Sequence, residues 1–386
     1  MYLHLFWTIA LGAAALLWIY GTIEAALGVP KLASLVDAAP LSDADCPTIS
    51  ILFAARDEAH KLPGALATFL ALDYPRYEVV AANDRSEDGT EEILQHAAKD
   101  NPRLKFVSVR KLPTDWLGKP HALQKAYEQS TGEWLIFTDA DVHFAPGLLR
   151  SAISLAKNKG WDHLTLSGRT EMFSFGEKIA MTFFGLAFVM SVRPWRVSDP
   201  RSRAFVGIGV FQLIRRSTYE AIGTHRRLAM EVVDDMKLGK LVKRQRFRSG
   251  LAMAGDEVSV YWHSGLGNII RGTTKNFFAF AGFSPWMAGI QIFGTLMMCV
   301  VPWVAFPLVH GWARLFAGIA VGLAIILQAG ACLEFKVSPA YALTFPIGAL
   351  IFVWMLARSV IVTLWTGGVT WRGTFYRLKE LKRGVV

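Results

Sequence analysis

"ISILFAARDEAHKLPGALATFLALDYPRYEVVAAND", residues 49 to 84, decides the fold. "ISILFAA" and "YEVVAAND" are apolar runs of strand length, and "LPGALATFLALD" between them reads as a helix. A strand, a helix and a second strand in so short a stretch imply that the two strands run parallel, because the helix carries the chain back across the sheet. Further along, "GTEEILQHAAKD" and "KPHALQKAYEQS" read as helices and "LKFVSV" and "EWLIFTDAD" as strands. From about Leu41 to Tyr261 the chain is therefore expected to be α/β, with a mainly parallel sheet covered by helices on both faces. Sites in such sheets lie at the carboxyl ends of the strands.

The flanks differ in character. Apolar residues make up 53% of the 386, with 13 Trp and 25 Phe, yet the formal net charge is +10. Apolar runs beside concentrated basic charge indicate a membrane protein with a basic cytosolic surface. Nucleic-acid binding is the other reading of that charge, and it is set aside for want of a base-reading module. Residues 3 to 27 hold one acid and no Lys or Arg, enough for a spanning helix of roughly 20 residues and read as a retained signal anchor. Lys31 and Arg56 follow that segment and nothing basic precedes it, which puts the next region in the cytosol.

Trp286 to Val309, Leu315 to Leu333 and Tyr341 to Trp365 are three more membrane candidates. "FGEKIAMTFFGLAFVM", 175 to 190, is shorter and carries Glu177 and Lys178, so it reads as an interfacial helix. Three crossings would leave the basic tail "WRGTFYRLKELKRG" outside, against its charge. Either 276 to 310, broken at Ser284-Pro285, forms a hairpin or re-entrant pair, or one candidate does not cross. Cys46, Cys299 and Cys332 have no disulfide or zinc spacing, which fits a reducing cytosolic face.

Acids gather where the strands end. Asp57 and Glu58 follow the first, Asp84 the second, Asp139 and Asp141 the fourth, and Asp234-Asp235 come later in "AMEVVDDMKLGKLVK". Asp88 reads as a helix cap, with Glu91 completing a capping box. Alternate residues of a strand share a face, so Asp139 and Asp141 are expected to point to one mouth. Carboxylates clustered on a basic protein suit a hard divalent cation, Mg²⁺ or Mn²⁺, carrying a diphosphate.

At these residues the chain resembles the membrane-bound family 2 glycosyltransferases with the GT-A fold, over about residues 47 to 280. The stretch from 49 is similar to that family's nucleotide-binding opening and "TDAD" at 138 to 141 to its DxD motif. "GK" at 118 to 119 and "VDDMKLGKL" at 233 to 241 match later landmarks. "DPRSRAFVGIGVFQLIRRSTYEAIG", "RGTTKNFFAF" and "TWRGTFY" are similar to lipid-acceptor members, namely ceramide, carotenoid (diaponeurosporenoate) and hopanoid-associated glycosyltransferases.

The resemblance implies a Rossmann-like domain at 45 to 265 and an anchor at 1 to 30. It also implies an interfacial helix at about 175 to 192, membrane and interfacial helices at 266 to 370, and a basic cytosolic tail at 371 to 386. It implies that Ala54, Arg56 and Glu58 line the nucleotide, that Asp84 meets the uracil edge and that Lys119 lies near the phosphates. Asp139 and Asp141 would hold ribose-diphosphate and metal, Asp235 would be the base, and Asp234 would lie on the diphosphate or acceptor side. Arg271 and Lys275 would face the diphosphate or acceptor, or else lipid headgroups.

A Gln-x-x-Arg-Trp motif of processive synthases is missing from "HSGLGNIIRGTTKN". The implied activity is inverting transfer of one sugar from a nucleotide-sugar, expected to be UDP-linked, to a lipid at the cytoplasmic membrane. A processive polysaccharide synthase is the alternative, and a non-catalytic scaffold a third.

Overall fold

The computed structural model describes residues 2 to 386. Its strands are β1 (Ala33–Ser34), β2 (Ile49–Ala55), β3 (Tyr77–Asp84), β4 (Leu104–Val109), β5 (Trp134–Asp139), β6 (Val142–Phe144), β7 (His163–Thr170), β8 (Gln212–Arg215), β9 (Ser249–Val260), β10 (Gly368–Trp371) and β11 (Thr374–Arg377). The first eight helices are α1 (Tyr2–Gly28), α2 (Leu62–Leu70), α3 (Thr90–Asp100), α4 (Gly118–Glu128), α5 (Leu148–Lys159), α6 (Phe175–Val192), α7 (Arg216–Ala221) and α8 (Asp234–Arg244). The rest are α9 (Leu266–Thr273), α10 (Asn276–Phe280), α11 (Pro285–Cys299), α12 (Val301–Ala305), α13 (Gly311–Glu334), α14 (Phe345–Thr366) and α15 (Leu378–Arg383). They fall into two compact units. One holds 32–171, 194–261 and 370–386; the other holds 1–31, 172–193 and 262–369.

The first unit is a mixed, mostly parallel α/β sheet in the order β1-β9-β7-β8-β5-β2-β3-β4, with β6 paired to β9. β2 lies parallel between β3 and β5. A strand flanked on both sides and covered on both faces should be apolar throughout, and six of its seven residues are buried. Ile51 and Phe53 join the core formed with Leu66 and Phe69 of α2 and Ile153 of α5. Leu52 joins Val80, Phe137, Leu123 of α4 and Leu238 and Leu241 of α8 on the other face. α2 buries Leu62, Ala65, Leu66 and Phe69, the i, i+3, i+4, i+7 stripe of a core-facing helix.

The expected strands and helices of the opening are present, and the sheet adds a departure: β8 runs antiparallel to both β5 and β7. Asp88 and Glu91 do not form a capping box. The N-cap of α3 is Gly89, with no side-chain cap bond. Asp88 accepts instead from Thr90 and from Ala59 N, pinning the loop after β2. Glu91 pairs with Arg110 and accepts from Asn83 Nδ2 and Ser108 Oγ.

The second unit is helical. Trp18 of α1, Phe183 and Leu186 of α6, Ala320 and Ala324 of α13 and Phe345 and Ala349 of α14 form one core. Small residues carry the α13 side of its contacts, as close packing of apolar helices requires. Phe6, Ile9, Phe293, Ile326, Trp354 and Trp365 are exposed, an apolar surface far beyond that of a soluble domain. Among the described residues five helical segments are long and apolar enough to cross a membrane, α6 among them.

Glu177 of α6 is spent locally. It forms a capping box with Ser174 and also accepts from Phe173 N and Gly265 N. The break at Ser284-Pro285 opens no hairpin. Ser284 caps α11, and α11 and α12 make one helical run to Ala305, interrupted at Val300 before Pro302.

Phe69 is fully buried, 4.7 Å from the Phe144 ring and 5.6 Å from the Phe53 ring. Phe69→Ala should destabilise the sheet unit by about 3–5 kcal/mol, read as a lowered unfolding midpoint of the detergent-solubilised protein.

Candidate active site

Parallel register sets the site. Ala54 pairs with Ala82 on one side and Asp139 on the other, so the carboxyl ends of β2, β3 and β5 finish side by side. The loops that follow are tied together: Asp57 N donates to Ser86 Oγ, Glu87 N to Asp57 Oδ1, and Glu58 N to Thr90 Oγ1. Asp57 (φ 54°) and Arg85 (φ 56°) both take left-handed backbone conformations, unusual for residues with a Cβ. Asp57 is thus a loop-pinning residue.

At one end of this row lies Asp84, 3% exposed. Arg85 grips it with Nε on Oδ1 at 2.8 Å and Nη2 on Oδ2 at 3.1 Å, and Arg56 Nη1 stands 3.9 Å away. The bonds to Asp84 hold the Arg85 guanidinium above its usual range. Gly118 opens α4 against this carboxylate, where any Cβ would collide with Asp84 Oδ2. Its N–H donates to Tyr376 Oη at 3.2 Å. Arg56 Nε, Asn83 Oδ1 and His121 Nδ1 are buried there with no hydrogen-bond partner among the described residues. Orphaned buried polar atoms are rare in folded proteins, and a polar ligand would satisfy them.

The two acids of "TDAD" are held separately. Asp139 ends β5, whereas Asp141 sits in the turn before β6, so strand alternation is not what aims it. Lys119 Nζ of α4 meets Asp139 Oδ1 at 2.6 Å, and Lys61 Nζ before α2 meets Asp141 Oδ2 at 2.7 Å. Burial opposes the charge on Lys119, but Asp139, Asp234 and Asp235 outweigh it and raise its pKa well above the usual range. Among the described residues no group of three or more metal-ligating side chains stands together. Two hard carboxylates nevertheless fit a Mg²⁺- or Mn²⁺-type ion that draws its other ligands from substrate phosphates.

Asp235, in the first turn of α8, is the best-oriented acid. Met236 N donates to Oδ1 at 2.7 Å and Gly209 N to Oδ2 at 3.0 Å. Burial pushes its pKa up to about 6, with Asp234 adding and Lys119 opposing. A Cβ at Gly209 would stand 2.8 Å from Asp139 Oδ2 and 3.4 Å from Asp235 Oδ2, so both acids reach the same small space. Asp234 turns inward instead, its Oδ2 3.8 Å from His225 Nε2. His225 Nδ1 lies 2.7 Å from Tyr219 Oη. Burial lowers the His225 pKa, with the Asp234 bond opposing. Glu58 bonds Arg372; burial raises its pKa, with Arg372 opposing and Asp141 adding.

The sheet unit thus brings together Arg56, Glu58, Asp84, Lys119, Asp139, Asp141, Asp234 and Asp235. Arg271 and Lys275 belong to the helical unit, where Arg271 donates to Asn268 and Lys275 to Asn276. His263 also lies there, packed on Trp262 and Gly272. Sequence reasoning passed over Gly207, Gly209, Arg372 and Tyr376. "GIG" at 207 to 209 was a usable signal, because a Cβ at Gly207 would overlap the Asp235 carbonyl.

Residues 50–223 match the model of glycosyl transferase family 2. The sheet unit is that of a family 2 glycosyltransferase. A poly-β-1,6-N-acetyl-D-glucosamine synthase of Staphylococcus epidermidis is 34% identical over 93 residues, 24% of this chain. The match spans only 21% of that relative's length. A 4,4'-diaponeurosporenoate glycosyltransferase of Staphylococcus haemolyticus is 23% identical over 279 residues, 72% of this chain and 70% of the relative. A mannosyltransferase from Pyrobaculum calidifontis, solved with GDP-Man and Mn²⁺, superposes with a TM-score of 0.54 at 19% identity, covering 92% of this chain and 99% of its own. The mannosyltransferase likeness is one of fold.

Three outcomes follow for this site. Gly209→Ala should abolish turnover while leaving the unfolding midpoint close to the parent's, since its Cβ meets two carboxylates rather than the core. If Asp235 works as a base, kcat/KM should fall as pH drops through about 6, because only the ionised form accepts a proton. Asp234→Asn removes a like charge and should move that limb to lower pH, as a pH–rate profile would show.

Proposed function

We propose that the protein transfers one sugar from a UDP-linked donor to the hydroxyl or carboxyl of a lipid, with inversion, at the cytosolic face of a membrane. The observation that carries this reading is the space beside Gly209, reached by both Asp139 and a half-buried Asp235 whose raised pKa suits a general base. Asp235 takes the proton of the acceptor as its oxygen bonds to the anomeric carbon. On the opposite face the bond to the diphosphate oxygen breaks and the nucleoside diphosphate leaves with its electron pair. Asp235 is the one acid assigned as a base, and Asp139, which shares its space, is assigned to the metal and diphosphate rather than to attack on the sugar; that division favours inversion.

Asp139 and Asp141 are the residues that would hold Mg²⁺ or Mn²⁺, which when bound neutralises charge on the leaving diphosphate. Lys119 and Lys61 keep the two carboxylates in place and add positive charge. The coupled Asp84 and Arg85 offer an acceptor beside a donor, complementary to the N3–H and flanking carbonyl of uracil. Arg56 and Ala54 would line the nucleotide.

A lipid acceptor is supported by the exposed apolar helices and by the carotenoid-transferring relative. Both flanks of α6 belong to the sheet unit, which favours an interfacial helix over a crossing. Residues 370–386 belong to that unit too, so an even number of crossings would intervene and the basic tail would stay cytosolic. The similarity to a polysaccharide synthase favours the second reading, a processive synthase.

Membranes supplied with labelled UDP-glucose, UDP-N-acetylglucosamine and GDP-mannose, with and without chelator, separate these readings. The first predicts one labelled lipid of inverted anomeric configuration, lost with Asp235→Asn by about 10²-fold or more. A ladder of polymers would replace it with the second. Retention of configuration would remove Asp235 from its assigned role.

A further inference from the structure

The segment after the last apolar helix returns to the sheet unit. β10 and β11 are joined by Arg372 (φ 47°) and Gly373 (φ 75°), two consecutive residues with positive φ. That is the two-residue hairpin turn whose twist matches the flanking strands. Gly is at home there, whereas Arg is not, so the turn holds a charged side chain at its apex against backbone preference.

Three contacts join this hairpin to the site. Arg372 pairs with Glu58, Thr374 Oγ1 accepts from Arg56 Nη1 at 3.4 Å, and Tyr376 Oη accepts from Gly118 N. Tyr376 also bonds Arg85, the residue that clasps Asp84. One hairpin therefore reaches from the Asp84 end of the row to Glu58.

Charge decides what Arg372 is for. A diphosphate entering beside Glu58, Asp139 and Asp141 needs cations. Lys61, Arg85, Lys119 and Arg372 are each bonded to one acid, so exposure separates them: the side chains of the first three are 39%, 21% and 23% exposed. Arg56 is 16% exposed. Arg372 is 47% exposed, and its partner Glu58 is the carboxylate that burial already drives toward neutrality. Its guanidinium can trade a single carboxylate for a diphosphate with the bidentate geometry that group favours.

We propose that Arg372 and Tyr376 are donor-site residues: Arg372 pairs with the diphosphate, and Tyr376 positions Gly118 and Arg85 around the nucleobase. This rests on the nucleotide-sugar reading above.

The test is equilibrium binding of UDP and of uridine to the full-length protein in detergent, followed by calorimetry and by competition. Arg372→Ala should weaken UDP by about 10-fold or more and leave uridine within twofold. Arg372→Lys should recover part of the loss. Tyr376→Phe should weaken UDP and uridine by the same factor, and Lys382→Ala, an exposed change on α15, should bind both like the parent. Matching unfolding midpoints exclude misfolding, and Arg372→Lys carries the test should Arg372→Ala not fold. UDP binding unchanged in Arg372→Ala and Tyr376→Phe would overturn the proposal, as would equal losses for UDP and uridine in Arg372→Ala. A parent that binds GDP in place of UDP corrects the donor only, and the same contrast is then read with GDP and guanosine. A parent that binds neither overturns the nucleotide-sugar reading itself.

Discussion

Six carboxylates gathered around the carboxyl ends of the strands repel one another unless each is met by a cation or a fixed dipole, and the sheet unit is arranged around that requirement. Asp84 is met by Arg85, Asp139 by Lys119, Asp141 by Lys61 and Glu58 by Arg372. Asp234 faces His225, and Asp235 rests on two backbone N–H groups. Each partner comes from a different loop or helix, so the site holds its shape only when the whole unit is assembled. A divalent ion with a diphosphate would fit a site already balanced in this way.

The two acids at the start of α8 show how environment divides one residue type into two roles. Asp234 points into the interior toward His225 and Tyr219, where polar partners use its charge. Asp235 opens onto the crevice and titrates near neutrality, because burial and its neighbour both disfavour a second negative charge. Gly209 is needed because a side chain there would fill the gap between Asp139 and Asp235, and Gly207 because its Cβ would overlap the Asp235 carbonyl. The same reasoning covers Gly118, which lets the first turn of α4 reach Asp84.

Much of the sheet unit was legible in the chain. "YEVVAAND" and "LKFVSV" read as strands with the observed limits; the first lies inside the sheet, and a strand buried on both faces shows as a largely apolar run. The acids were legible too, since a charge at the end of such a run is out of place unless it is used. The antiparallel β8 was not, because four residues, "QLIR", carry too little pattern and owe their place to β5 and β7. Asp88 and Glu91 were misassigned because a capping motif is local, whereas Ala59 and Arg110 compete for them from elsewhere. Asp141 was aimed by a turn rather than by strand alternation.

The sequence alone determined the α/β alternation, the apolar flanking helices and the acids at the strand ends, because each is written in the spacing of neighbouring residues. Tertiary structure alone decided which groups those acids meet. It assigned α6 to the helical unit and 370 to 386 to the sheet unit. It also brought Arg372 to Glu58 and Tyr376 to Gly118 across more than 250 residues of chain. Such pairings leave no local period, since they arise only when strand register and helix packing have closed the distance.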